Sequence, residues 1–441
     1  MQIISKYTIP LVLSNDFYVL FNTRSSGMIR VSKEEYAAIE NQGGNLDEVK
    51  DVLRTEVIDA MKENKMIVDA HEDDDYLAHE ILQLKMGSFA SRTLGLTIAP
   101  TCDCNFACPY CYETHKRKSY MSDDVIEQLA EFVEKYEACD AYSVTWYGGE
   151  PLMAFAQMKK IAERLKSIKG KKWDGHMIVS NTSLLNDEMI DFFKEYHLGS
   201  IQVSLDGAEE HHNQTRVFKS TKEGSFQLLL TNIEKILVNL PETDVAVRVN
   251  IDKSTAEDFG RVANMLTERF KDHLQRLHIY PGYIRVEDKE RGCWSCQSIV
   301  SDDRFRFFED MEKGFALPVN WIPNKAGKGC GATSLHSFIV GPEGDLYKCW
   351  NDFGDQNRCV GYLHNAGKPI NERLLLRYLS MGTGLDDEAC KSCALLPVCD
   401  TGCAWERVAN RFEDKHFDVC TMAKDRTVLA RCMANYLKHQ D

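Results

Sequence analysis

The first 101 residues of this 441-residue chain contain no cysteine, so whatever thiol chemistry the protein performs begins after them. Basic charge is also scarce: 53 Lys and Arg face 67 Asp and Glu, a formal net charge of −14. A surface of that sign repels phosphate backbones, which argues against a protein that coats nucleic acid. Long apolar runs are missing, and nothing approaches the ~20 residues needed to cross a bilayer. The start, MQIISKYTIPLVLSNDFYVLF, lacks the basic n-region, long apolar stretch and small-residue cleavage site of a secretory signal. A cytoplasmic protein with neither a nucleic acid nor a membrane as partner is expected.

What the chain does have is cysteine, sixteen in all, four of them at 102–111 and nine between Cys330 and Cys432. Reduced thiols in that number are too many for packing and favour metal ligation. A hydrophobic content of 44% with 27% charged residues describes a globular enzyme, and the length implies two or three domains.

Residues 1 to about 75 read as a small α/β unit. Strand-like runs at 18–23 and 28–31 flank the turn Arg24-Ser-Ser-Gly27, which predicts a hairpin. Ser32-Lys-Glu-Glu35 is a capping box opening a helix that Gly43-Gly44 stops. A second helix is expected over roughly 46–64 and a strand at Met66-Ile-Val-Asp. The acidic run Glu72-Asp-Asp-Asp75 reads as a solvated loop at the domain edge.

From Thr93 to Pro281 strand and helix alternate. Strand candidates at 94–99, 143–147, 176–180, 200–205, 245–251 and 277–280 are separated by helical stretches at 123–137, 155–167, 187–196, 225–238 and 255–270. Six β/α repeats predict a parallel sheet, most simply a partial (β/α)6 TIM-like barrel with its site at the C-terminal strand edges. The expected division is 1–90, a winged-helix-like domain; 91–285, the barrel; 286–329, a connector with an aromatic helix near 305–315; and 330–441, a Cys-rich domain poor in regular periodicity that needs staples.

Cys104-Asn-Phe-Ala-Cys108-Pro-Tyr-Cys111 leaves the first barrel strand as a loop. Three thiolates in one loop suit a [4Fe-4S] cubane with one iron left open, whereas structural zinc wants four ligands. With Tyr110 before the last cysteine, this spacing resembles the radical S-adenosylmethionine (SAM) superfamily signature. The resemblance implies that the open iron chelates the methionine group of SAM and that an electron cleaves the sulfonium to give a 5'-deoxyadenosyl radical. Trp146-Tyr-Gly148-Gly149-Glu150-Pro151 matches the family's GGEP motif, whose glycines let backbone approach the methionine amine. Asn181, Ser204, Asp206, Arg216, Arg248 and Asn250 fall at or after strand ends where related enzymes hold ribose, carboxylate and adenine; each is equally suited to be a cap or turn residue.

Cys330, Gly344, Cys349, Cys390, Cys393, Cys399, Cys403 and Cys420 follow an order that closely resembles the SPASM domain. That likeness implies two auxiliary [4Fe-4S] clusters, three clusters in total: Cys330, Cys349 and Cys403 for the first, and Cys390, Cys393, Cys399 and Cys420 for the second. A four-cysteine zinc ribbon is the structural alternative for the last group. The first auxiliary set has three thiols, so either Cys359, Cys293 or Cys296 completes it or one iron is open to a substrate thiolate. Cys102, Cys139 and Cys432 read as packing residues.

SPASM-type relatives modify peptides and proteins. The N-terminal unit resembles the recognition element that binds the leader of a precursor peptide by β-augmentation; a plain stabilising domain or a DNA-binding winged helix is the alternative. The expected function is therefore a peptide maturase, with thioether formation between a Cys sulfur and another residue's carbon as the preferred product. The relatives most similar in product would be sactipeptide and ranthipeptide maturases. Carbon–carbon crosslinking, formylglycine formation as in sulfatase maturation, and epimerisation compete with it, as does a non-catalytic electron-transfer or peptide-binding role. A flavodoxin- or ferredoxin-like electron donor is implied. Asp206, Glu150 and Tyr280 do not separate as a general base.

Overall fold

The computed structural model describes the chain except residues 15, 42–44, 112–117, 318–326, 423–424 and 439–441. At the N-terminus β1 (Gln2–Ile4) pairs antiparallel with β5 (Ile67–Asp69), tying together the two ends of a small unit. Between them β2 (Thr8–Ser14), β3 (Phe17–Asn22) and β4 (Met28–Val31) form an antiparallel meander. The hairpin at 24–27 is present, and the capping box closes as expected. Ser32 N donates to Glu35 Oε2 at 2.8 Å, and Glu35 N donates to Ser32 Oγ at 3.2 Å, opening α1 (Lys33–Asn41). The Gly43-Gly44 stop lies outside the described residues.

Two expectations for this unit are corrected. The single helix over 46–64 is two, α2 (Leu46–Val49) and α3 (Thr55–Glu63), because Arg54 is extended at the junction. The buried carboxylate of Glu35 causes the break: it accepts from Arg54 N at 3.0 Å and from its guanidinium at 3.0 and 3.1 Å. The run 72–75 is not a solvated loop but the first turn of α4 (Glu72–Phe89). Acidic groups are favoured beside free N–H groups at a helix start. Asp73 is buried there and accepts from Ser5 Oγ (2.9 Å) and Lys6 N (2.8 Å), while Glu72 pairs with Arg24 at 3.1 Å.

The central region follows the predicted alternation: β6 (Thr93–Ile98), α5 (Asp123–Lys135), β7 (Ala141–Trp146), α6 (Phe155–Lys166), β8 (Lys172–Val179), α7 (Asp187–Glu195), β9 (Leu198–Leu205), α8 (Glu209–Thr215), α9 (Phe226–Asn239), β10 (Asp244–Ile251), α10 (Ala256–Arg269) and β11 (Leu277–Tyr283). The six strands pair parallel in sequential order. Their side chains alternate as the period of two requires. Leu94, Leu96, Ile98, Val144, Trp146, Val203, Val247 and Val249 join one core with helix residues such as Leu129, Ile161, Ile233 and Leu266. Thr97, Thr145, Gln202, Ser204 and Arg248 face the other way and keep partial exposure. One face is therefore a packed core and the other is polar and reachable.

After β12 (Glu287–Asp288), β13 (Cys293–Trp294) and the aromatic helix α11 (Ser301–Phe315), the Cys-rich segment departs from expectation. Its first part is regular: β14 (Ser337–Val340) pairs parallel with β6, and β15 (Asp345–Tyr347) and β16 (Gly361–Tyr362) extend the sheet to nine strands. The free edge of β6 offers backbone partners that a segment short of apolar periodicity can use. Helices α12 (Glu372–Met381), α13 (Glu388–Lys391), α14 (Ala404–Phe412) and α15 (Arg426–Lys438) follow. Leu429, Ala430 and Met433 of α15 pack on Ile9, Leu11, Val19 and Phe21, while Leu20 and Val31 on the opposite face meet Ile39, Val49, Val57 and Met61. The N-terminal meander is thus sandwiched between its own helices and the far end of the chain. Among the described residues no helix is long and apolar enough to cross a membrane.

Candidate functional site

The loop after β6 is fixed from two sides. Phe106 is buried with its ring edge-on to Phe218 (4.9 Å), and isolated bridges join Phe106 to Phe218 and Thr101 to Tyr120. Cys104 is buried and its Sγ accepts from Phe106 N at 3.4 Å; Cys108 and Cys111 are half-buried. The end of β7 presses on the loop from the other side. Gly148 has φ +110°, and a Cβ there would stand 2.3 Å from Thr101 O; a Cβ on Gly149 would stand 2.1 Å from Asp103 O. Gly149 N donates to Thr101 O (3.2 Å) and Glu150 N to Asp103 O (2.8 Å). The glycines are required by the cysteine loop itself, which lies against them.

Glu150 is a strut. Its buried carboxylate accepts from Ser180 Oγ (2.7 Å), Asn181 N (2.7 Å) and Leu152 N (3.0 Å), and burial pushes its pKa up in spite of those bonds. The Asn181 side chain donates to Asn105 Oδ1 at 2.9 Å and accepts from Ser183, and so ties the loop after β8 to the cysteine loop. Asn105 escaped the sequence reading; its position among the variable residues of the cysteine motif was the only signal.

Tyr110, Asp206, Arg216 and Asn250 meet in one buried polar knot. Tyr110 Oη donates to Asp206 Oδ2 at 2.5 Å, Arg216 donates to Tyr110 Oη at 3.1 Å, and Asn250 Nδ2 donates to Asp206 Oδ1 at 3.0 Å. Thr215, also unforeseen, donates to Asp206 at 2.7 Å. Burial and the nearby Asp206 push the Tyr110 hydroxyl up, Arg216 opposing. Burial works against the Arg216 cation, but Tyr110, Asp206 and the Cys108 thiol together hold its pKa above the usual value, and its Nε is buried without a partner. A cation beside a cluster thiol and a spare buried donor are what an anionic ligand at this loop would use.

Ser204 and Arg248 stand apart from the knot, opposite each other across β9 and β10 on the polar face. Arg248 Nε is also buried without a hydrogen bond. Gly282 of β11 leaves room for it, since a Cβ there would lie 2.2 Å from that Nε. Tyr280, exposed on the same face, donates to Gln202 Oε1 at 2.7 Å.

The C-terminal thiols fall into neighbourhoods. Burial pushes Cys349 far up, with the charges of Asp352, Cys403 and Cys330 adding to it; Cys403 is pushed up to about 11 by burial and then Glu406. Cys330, Cys349 and Cys403 are therefore mutual neighbours. Burial raises the Cys390 thiol and Arg407 opposes that, with Asp387 and Cys399 close by. Cys399 accepts from Thr401 N at 3.3 Å. Cys359 is buried with Ala99, Cys102 and Tyr147, and its Sγ donates to Gly361 O at 3.1 Å. Cys293 is half-buried in β13, and Cys296 is exposed. Cys102, Cys139 and Cys432 are buried among apolar side chains, as packing residues should be. The soft thiol donors, their grouping and the N–H···S bonds fit cubane ligation. Among the described residues no three His, Cys, Asp or Glu side chains are arranged to hold a metal ion as they stand, so ligand sets rest on order and neighbourhood.

A radical SAM superfamily model matches residues 98–278. The chain is 34% identical over 348 residues to a serine-type anaerobic sulfatase-maturating enzyme of Bacteroides thetaiotaomicron, spanning 69% of this chain and 80% of that one. Among solved structures, anSMEcpe with bound AdoMet and the Cp18Cys peptide superimposes with a TM-score of 0.58 at 20% identity, over 78% of this chain and 99% of that one. Streptococcus suis SuiB bound to precursor peptide SuiA gives a TM-score of 0.51 at 14% identity, over 96% of this chain and 100% of that one. At these identities the two structures speak to the fold.

Proposed function

The chain belongs to the radical SAM superfamily and is a peptide- or protein-modifying oxidoreductase, and we propose that its substrate is a ribosomally made precursor peptide held through the N-terminal meander. The family's [4Fe-4S] cluster and SAM, when bound, supply a 5'-deoxyadenosyl radical for hydrogen abstraction. Cys104, Cys108 and Cys111 would hold that cluster, and Arg216, Asp206, Tyr110 and Asn250 would orient the SAM carboxylate and ribose. Ser204 and Arg248 face the polar side of the sheet, where a substrate chain can enter. Two auxiliary cubanes are assigned to the C-terminal sets given above, and a flavodoxin- or ferredoxin-like donor would deliver electrons.

The observation that carries the peptide reading is the edge of β4. Asn22 N donates to Gly27 O, so along the Asn22–Gly27 ladder Leu20 and Ile29 form a hydrogen-bonded pair, and the N–H groups of Met28 and Arg30 point outward. Among the described residues no strand occupies that side. The opposite edge is blunted: Thr23 N donates to Tyr7 O, so Pro10 falls at an outward-facing position, and the pairing slips between Val12 and Ser14. A leader strand would therefore add to β4.

For the product we favour a thioether, supported by the three-thiol neighbourhood of Cys330, Cys349 and Cys403, whose open iron would take a substrate thiolate. Formylglycine formation is the second reading, favoured by the 34% identical sulfatase-maturating relative. The test is anaerobic reaction of reconstituted protein with short Cys-bearing peptides encoded beside its gene. SAM consumption with 5'-deoxyadenosine release, and a peptide lighter by two hydrogens with its thiol blocked, would support a thioether. Reaction of that product with a hydrazide would mark an aldehyde and favour formylglycine. Equal inertness of wild type and Cys104→Ala would overturn the enzyme reading.

A further inference from the structure

Helix α14 carries Cys403 at its N-cap and Arg407 four residues on, so the two lie on one face of the helix. Arg407 is 8% exposed, and each of its nitrogens is engaged. Nε donates to Thr401 O at 2.7 Å, one terminal nitrogen donates to Asp387 Oδ2 at 3.2 Å, and the other donates to Cys390 Sγ at 3.3 Å. The slot is tight: a Cβ on Gly384 would stand 2.8 Å from Thr401 Cβ and 3.2 Å from the nitrogen that reaches Cys390. Thr401, at φ +67°, turns its own N–H onto Cys399 Sγ at 3.3 Å.

The other C-terminal thiol set is surrounded differently. Backbone N–H groups of Asn351, Trp405 and Glu406 reach Cys349 and Cys403, but the charges nearest those thiols are the carboxylates Asp352 and Glu406. Each carboxylate is paired with an arginine, Arg358 and Arg285 respectively. Lys348, near Cys330, donates to the carbonyls of Ser334 and Ser337. A guanidinium in direct contact with sulfur is what distinguishes Cys390.

A [4Fe-4S] cluster becomes more negative on reduction, and hydrogen bonds and positive charge at its sulfurs favour that state. Resting on the ligand sets assigned above, we propose that Arg407 is a positioning residue that sets the cluster on Cys390, Cys393, Cys399 and Cys420 at a higher potential than the cluster on Cys330, Cys349 and Cys403. Because α14 bears a ligand of one cluster and the cation of the other, it fixes their order.

The test is an EPR-monitored potentiometric titration of the anaerobically reconstituted full chain. Cys390→Ala should lose one cubane of iron and identify the midpoint that belongs to that cluster. In Arg407→Gln that midpoint should move down, and in Asp387→Asn, which frees the guanidinium of its counter-charge, it should move up, while the other midpoints stay in place. If Arg407→Gln itself loses the cubane, Asp387→Asn carries the comparison. Unmoved midpoints at full iron content, or shifts of the same sign in both variants, would overturn the inference. Unchanged iron in Cys390→Ala would instead overturn the ligand assignment beneath it.

Discussion

Gly149 and Asp103 touch backbone to backbone: a Cβ at Gly149 would lie 2.1 Å from the Asp103 carbonyl oxygen, one residue ahead of Cys104. The second strand of the barrel region thus shapes the cysteine loop directly. Gly149→Ala should displace that loop and cost about 1–3 kcal/mol of overpacking. Release of 5'-deoxyadenosine should fall at least about tenfold, the equivalent of ~1.4 kcal/mol in the barrier, while circular dichroism stays that of the wild type.

Arg216 and Asp206 are 11% and 4% exposed at the side chain and lie 3.7 Å apart. Removing the cation alone strands a buried carboxylate, so Arg216→Met should destabilise by about 3–5 kcal/mol. Arg216→Met with Asp206→Leu should cost less than Arg216→Met alone. Thermal melting of the two variants side by side checks the order.

Two buried histidines predict acid sensitivity. His176 accepts from Trp146 Nε1 at 3.0 Å, and burial lowers its pKa to about 4; burial, with Arg216 adding, lowers His212 to about 3. In the unfolded chain both take up protons near pH ~6.5. Between that pH and about 4 the unfolded state therefore binds more protons than the folded one, and stability falls as pH falls. Each group contributes on the order of 3 kcal/mol over its window. The slope of melting temperature against pH between ~6.5 and ~4 should be shallower in His176→Gln than in wild type.

Arg30 is exposed on β4, and its N–H faces the open edge, so Arg30→Pro removes one outward donor without touching the ladder to β3. Binding of a labelled precursor peptide should weaken about tenfold or more, roughly one charge-free hydrogen bond plus lost register. The melting temperature should hardly move. An equal loss in a second variant at Val12, on the opposite edge, would sink the choice of β4.

Met433 is fully buried against the β2–β3 face. Met433→Ala should cost about 2–5 kcal/mol, and limited proteolysis should then cut within the first 90 residues and after α14 together. Cleavage confined to the C-terminus would show that the meander does not depend on α15.

Much of the molecule was legible in local pattern. Alternation at period two between helices located all six central strands, because each buries one face on the same core. Ser32 and Glu35 closed the capping box that their spacing announced. The cysteine spacing pointed to the family, since a cubane demands soft ligands at short intervals whatever surrounds them. Where tertiary forces entered, local reading failed. The 46–64 helix broke because Glu35, nineteen residues before Arg54, draws both its backbone and its guanidinium. The run 72–75 became a helix start because Ser5 and Lys6, far off in sequence, supply donors to Asp73.

By itself, then, the order of residues determined the repeat of strands and helices and the loop bearing Cys104, Cys108 and Cys111. Only the folded chain decided that Gly149 rests on Asp103, that Asn105 meets Asn181, that Arg407 reaches Cys390, and that β4 is left with an open edge. Each of those is a contact between residues that no periodicity links, and it exists because packing and strand register bring the two backbones to one place.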